Sequence, residues 1–169
     1  LLTSSAASDV YKRQELRRAK DEDQANRIWL GRKSAFGAMG QIADYMCLDG
    51  TIPVNKLPYV LKCIGEMSKT YGLSVANVFH AGDGNMHPLI LYDANKPGEL
   101  NKCEEFGAEI LRLCVEVGGC LTGEHGVGIE KRELMDYQFT TDDIDAQLRI
   151  KDVFDLSLIH ISEPTRHSA

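Results

Sequence analysis

Residues 75–92 read VANVFHAGDGNMHPLILY, and this stretch decides the fold. Residues 75–80 and 86–92 are rich in β-branched and apolar types, and they flank Gly82, Asp83, Gly84 and Asn85. Two strand-forming runs around a Gly-Asp-Gly-Asn turn predict an antiparallel hairpin. His80 ends the first run and His87 begins the second. Residues opposite one another across two strands have Cβ atoms about 5 Å apart and share a face. The spacing therefore predicts that the two imidazoles meet.

On the N-terminal side, residues 57–71 place Val60, Leu61, Ile64, Met67 and Tyr71 at helical spacing, with Pro58 near the start and Gly72 just past the end. Residues 45–53 read as a short strand closed by a turn. Residues 15–29 are charged and read as the exposed end of a helix that began upstream; residues 29–39 continue it, loosened by Gly31 and Gly37.

On the C-terminal side, Pro97 and Gly98 open a helix with Cys103, Phe106, Ile110, Leu113, Cys114 and Val117 on one face, ended by Gly118 and Gly119. Residues 120–122 form a short strand running into GEHGVG at 123–128. A last helix starts near Thr140 or Thr141, with Asp142 and Asp143 in its first turn and Ile144, Leu148 and Val153 on its buried side. This order predicts an α+β fold: an antiparallel β-sheet with helices packed on one face.

A chain of 169 residues can form one domain with a core, or part of a larger protein. The net charge of −6 and the scatter of Lys and Arg argue against a nucleic-acid partner. No apolar run approaches the ~20 residues that span a bilayer, and no export signal is visible. The five cysteines form no CxxC pair, which favours reduced thiols in a cytoplasmic protein. Residues 1–14 (LLTSSAASDVYKRQ) and 156–169 (LSLIHISEPTRHSA) resemble translated adapter sequence. Residues 15–155 are therefore expected to be the domain, between a non-native or disordered leader and a non-native tail.

The chemistry gathers in HAGDGNMH and GEHGVG, which hold three of the five histidines. Neutral imidazoles with a carboxylate suit a divalent ion such as zinc, manganese or iron. His80 and His87 can share one ion, and Glu124, on a glycine-flanked loop, is the best third ligand. Neighbours in an extended segment point to opposite sides, so Glu124 can face the metal while His125 faces a substrate as a base. The plainer alternatives are packed or surface histidines and a glycine loop that only turns the chain. Read as a dinucleotide fingerprint, GxxGxG has the wrong order. So much glycine also allows close approach by a bulky planar ligand.

With these residues in view, the chain resembles the C-terminal part of an FAD-linked oxidase of the vanillyl-alcohol oxidase type, closest to the glycolate oxidase and D-lactate dehydrogenase group. WLGRKSAF, DYMCLDGTIP, VANVFHAGDGNMHPLILYDANKPGEL, EFGAEILRLCVEVGG and TGEHGVGIEK fit the family pattern in order. The resemblance implies a flavoenzyme that oxidises a 2-hydroxy acid to a 2-oxo acid by hydride transfer to FAD. It implies His80, His87 and Glu124 as metal ligands, His125 as the base, Arg32 as the substrate-carboxylate arginine, and Gly123 and Gly126 near the flavin.

Where relatives acting on 2-hydroxyglutarate hold a distal carboxylate, this chain has Phe36, Cys47 and Leu89, so a short substrate is expected. Val54 replaces an arginine usual after TIP. The resemblance further implies a separate FAD-binding domain absent from this chain, which alone is expected to be inactive. It also implies further oxidase subunits, including an iron-sulfur subunit, and a cytoplasmic location, with a peripheral seat at the inner membrane as the alternative. Two other readings compete: a metal-dependent hydrolase, and a non-catalytic assembly module.

Overall fold

The computed structural model describes residues 18–154. Its centre is the hairpin of β3 (Val75–His80) and β4 (Asn85–Tyr92). Two earlier segments, β1 (Asp44–Cys47) and β2 (Gly50–Thr51), pair antiparallel with β4 along its other edge. Cys47 pairs with Leu89 and Gly50 with Met86, so both segments keep one register. They are a single strand interrupted at Leu48 and Asp49.

The interruption lies opposite Pro88. The Leu48 N–H donates to the Pro88 carbonyl at 3.0 Å. Proline has no N–H to return, so the Leu48 carbonyl is left without its ladder donor. This position matters again at the site.

Two helices build the core against one face of the sheet. They are α3 (Leu57–Tyr71) and α4 (Glu99–Glu116). Val60 and Ile64 of α3 and Cys103, Phe106, Ile110 and Cys114 of α4 meet Met86 and Ile90 of β4, all fully buried. Each such aliphatic or aromatic side chain contributes about 1.5–3 kcal/mol by leaving water. Tyr71 stacks on Phe106 with ring centroids 4.8 Å apart. The other sheet face carries His87 and meets α2 (Ala35–Met39), whose Phe36 ring stands 6.3 Å from the His87 ring.

Three expectations change in detail. Among the described residues the first helix, α1 (Glu22–Lys33), starts at its own cap instead of continuing from residue 15: the Asp21 carboxylate accepts from the Gln24 N–H at 2.7 Å. The break between α1 and α2 falls at Ser34 and at neither glycine. Instead of a strand, residues 120–122 make one isolated bridge, Cys120 to Thr51.

After the loop come α5 (Met135–Gln138) and α6 (Thr141–Phe154). Thr140 and Asp143 bond reciprocally at the start of α6, as the sequence led us to expect. The predicted buried side does not exist: α6 buries no residue, and Leu148 and Val153 are exposed. Among the described residues, no helix is long and apolar enough to cross a membrane. The leader and tail lie outside the described residues.

Candidate metal centre and active site

His80 and His87 do come together, but not as directly opposed residues. The register pairs His80 with Asn85 and His87 with Val78. The two histidines therefore share a face on a diagonal, a separation that long or aromatic side chains can bridge. Their ring centroids are 5.4 Å apart and their planes cross at 83°.

His87 is buried, and its ring is oriented by the irregularity at Pro88. Its Nδ1 lies 3.0 Å from the Leu48 carbonyl, the acceptor that Pro88 cannot serve. A carbonyl only accepts, so Nδ1 carries the proton and Nε2 presents its lone pair. That Nε2 is 2.9 Å from Oε1 of Glu124. Two acceptors so close require a cation or a proton between them. The Nε2 of His80 is 3.6 Å from the same oxygen.

These distances fit a shared ion. Two ligands about 2.1 Å from one tetrahedral ion stand about 3.4 Å apart, and 2.9 and 3.6 Å bracket that edge. An imidazole lone pair lies in its ring plane. The crossed planes of His80 and His87 meet along a line and can converge on one point. His125 differs: its ring stacks on His87 at 13° with centroids 5.1 Å apart. Stacked face to face, these two rings aim their in-plane lone pairs along offset, nearly parallel planes. His125 Nε2 is 3.9 Å from Glu124 Oε1, and both side chains are about half exposed, at 47% and 52%.

By proximity alone the donor atoms of Asp49, His87, Glu124 and His125 also group, within 4.8 Å of one another, and His80 falls outside that group. Asp49 is fully buried and its carboxylate is already engaged. It accepts from the Thr122 hydroxyl at 2.7 Å and from the N–H groups of Gly123, Glu124 and His125 at 2.9, 3.0 and 2.8 Å. Burial alone would raise its pKa. The His125 N–H, the Thr122 hydroxyl, the Lys131 ammonium and the Gly123 N–H reverse this and hold the carboxyl well below the usual range.

Lys131 is buried beside it, with Nζ 3.5 Å from Asp49, 3.2 Å from the Thr122 hydroxyl and 3.2 Å from the Gly126 carbonyl. Burial draws the Lys131 pKa down, against the pull of Asp49. Neither residue was singled out by sequence. Asp49-Gly50 reads locally as a turn, and Lys131 as the end of a glycine-rich run.

The remaining predicted residues surround this centre. Arg32, half-buried near the end of α1, donates from Nη2 to the Phe79 carbonyl at 3.4 Å, one residue before His80. Gly123 packs against Asn85: a Cβ there would stand 2.6 Å from Asn85 Oδ1 and 2.9 Å from Thr51 Cγ2. That Oδ1 is buried without a hydrogen-bond partner. Gly126 has φ +83, with open space where a Cβ would be. Phe36 and Cys47 lie beside His87, whereas Leu89 is sealed in the interior. The Cys47 thiol is pushed up to about 11, by burial first and then by Asp49. Without a metal beside it the thiol is therefore protonated at neutral pH, although its sulfur also groups with His87 and His125 by proximity.

The sequence has relatives of known name. Glycolate oxidase subunit GlcD of Escherichia coli is 54% identical over 156 residues, covering 92% of this chain and 30% of that protein. The subunit of the same name from Bacillus subtilis is 33% identical over 138 residues, 81% of this chain and 29% of that protein. The mitochondrial D-lactate dehydrogenase [cytochrome] 1 of Saccharomyces cerevisiae is 31% identical over 140 residues, 79% of this chain and 24% of that protein. The chain thus spans about a third or less of the length of these relatives. The family described as FAD linked oxidases, C-terminal domain, matches residues 3–156, a span that takes in most of the leader set aside above. By that match the chain belongs to the FAD-linked oxidases, through their C-terminal domain.

Proposed function

We propose that this chain is the substrate and metal half of an FAD-dependent 2-hydroxy-acid dehydrogenase, part of a longer protein acting on a short substrate such as glycolate or D-lactate. The observation that carries the reading is the contrast in ring geometry. His80 and His87 cross at 83° over Glu124, while His125 lies stacked beside them. His80, His87 and Glu124 hold a divalent ion, and His125 keeps its lone pair for a proton.

When bound, the ion supplies Lewis acidity toward the substrate hydroxyl, and FAD, held mainly outside these residues, supplies the hydride acceptor. The chain's own residues do the rest. Arg32 binds the substrate carboxylate from the His80 side. His125 accepts the hydroxyl proton as hydride leaves C2, a task suited to an imidazole near neutral pH. Gly126, with open space where a Cβ would be, leaves room for a planar ring beside the loop, whereas Gly123 serves the site by letting the loop pack against Asn85 and Thr51. Phe36 and Cys47 close the space in which a longer acid would need a cation for its second carboxylate. The word subunit in the relatives' names supports further oxidase subunits as partners; an iron-sulfur subunit among them is our own expectation. The location we expect is cytoplasmic, with a peripheral seat at the inner membrane as the alternative.

Steady-state turnover by the complete enzyme tests this. Glycolate or D-lactate should exceed 2-hydroxyglutarate in kcat/KM, and His125→Gln should cut kcat by about 10²–10⁴. Preference for 2-hydroxyglutarate would refute the substrate reading. A His125→Gln enzyme at wild-type kcat would remove the base.

A further inference from the structure

We infer that Asp49 is a positioning residue. It fixes the 122–128 loop in its working shape before any metal or cofactor binds, with Lys131 as its counter-ion. The inference rests on the roles proposed for Glu124 and His125, because it concerns how those two side chains are aimed.

Three consecutive backbone N–H groups, from Gly123, Glu124 and His125, converge on one carboxylate. Such a convergence sets the backbone angles of the very residues that carry the ligand and the base. The Thr122 hydroxyl ties the near end of the loop to the same oxygen, and Lys131 ties the Gly126 carbonyl on the far side. The Asp49 carbonyl takes a further bond from the Gly123 N–H at 2.7 Å. Asp49 is itself immobilised, in the strand interruption opposite His87, whose Nδ1 stands 3.9 Å from its Oδ1. One residue thereby links the hairpin half of the site to the loop half.

Stability alone does not account for the pair. A buried ion pair is commonly no better than apolar residues of the same volume, though losing one partner is costly. What the pair provides that an apolar plug cannot is a fixed set of acceptors for three N–H groups in a segment with no strand partner of its own.

The test uses the complete enzyme and the double variant Asp49→Asn/Lys131→Met, which removes both charges together. Amide hydrogen exchange of the peptide covering residues 121–128 is followed after chelator treatment and again with added Zn²⁺ or Mn²⁺. In the wild type, protection of this peptide should be the same with and without metal. In the double variant it should exchange at least 10-fold faster without metal. Affinity for the added ion should fall about 10–100-fold, as for other groups that orient ligands, while FAD content and Tm stay near wild type.

A wild-type loop that gains protection only when metal is added would overturn the inference, since the ion would then be shaping the loop. A folded double variant with wild-type metal affinity would overturn it as well. If the double variant does not fold, the wild-type exchange comparison decides. A wild type that binds neither ion yet protects the loop would sink the metal reading and leave the positioning claim standing.

Discussion

In the hairpin, His80 and His87 ride on paired strands whose backbone groups are met by the ladder. In the 122–128 loop, Glu124 and His125 have no ladder, and their N–H groups end on one buried carboxylate supplied from more than seventy residues away. Both halves bring their side chains to the same point. The difference is where the information lies. Alternating apolar residues around a glycine turn specify the hairpin locally, whereas the loop is specified by a tertiary partner. The loop half should therefore be the more sensitive to single changes distant in sequence.

The largest test of this contrast is Asp49→Ala, which leaves Lys131 buried and unpaired. It should cost about 3–5 kcal/mol in chemical denaturation. The same group sets a pH dependence. Its folded pKa lies below the unfolded value of about 3.9. Its contribution is thus complete above that value and is lost as pH falls toward the lowered one. The acid limb of stability should be shallower in the Asp49→Asn/Lys131→Met variant; an identical limb would place the acid sensitivity elsewhere.

Paired glycine substitutions give a smaller effect. Gly123→Ala forces a Cβ against Asn85 and Thr51 and should cost about 1–3 kcal/mol. Gly82→Ala, at the hairpin tip with open space around it, should stay within about 0.5 kcal/mol. Equal costs would erase the contrast between the halves.

Smallest in stability is Pro88→Ala, which gives the Leu48 carbonyl a backbone donor to compete with His87 Nδ1. Stability should change by no more than about 1 kcal/mol, while metal affinity falls about 10-fold because the ring is less firmly held. Unchanged affinity would mean that the Nδ1 contact does not orient His87.

The legible parts of the fold are those with local causes. The helix over 57–71 and the capped start at Thr140 follow from side-chain periodicity and capping chemistry, and both are present. His80, His87, Glu124 and His125 were legible as a cluster because their residue types are unusual between glycines. Their arrangement was less so. Spacing alone predicted directly opposed histidines, and a four-residue turn over 81–84 shifted the register to a diagonal. Asp49 and Lys131 were illegible because their meaning depends on partners far along the chain. The apolar stripe of α6 illustrates the same limit: periodicity shows that a helix has such a face, not what lies against it.

The central claim is that two crossed histidines and Glu124 hold a divalent ion while His125 stays free of it. Metal analysis of the complete enzyme and three single variants tests it most directly. The account predicts one divalent ion per chain in the wild type and in His125→Gln, and little or none in His80→Ala and His87→Ala. Retention of the ion by His80→Ala together with its loss from His125→Gln would contradict the account and exchange the roles of the two residues.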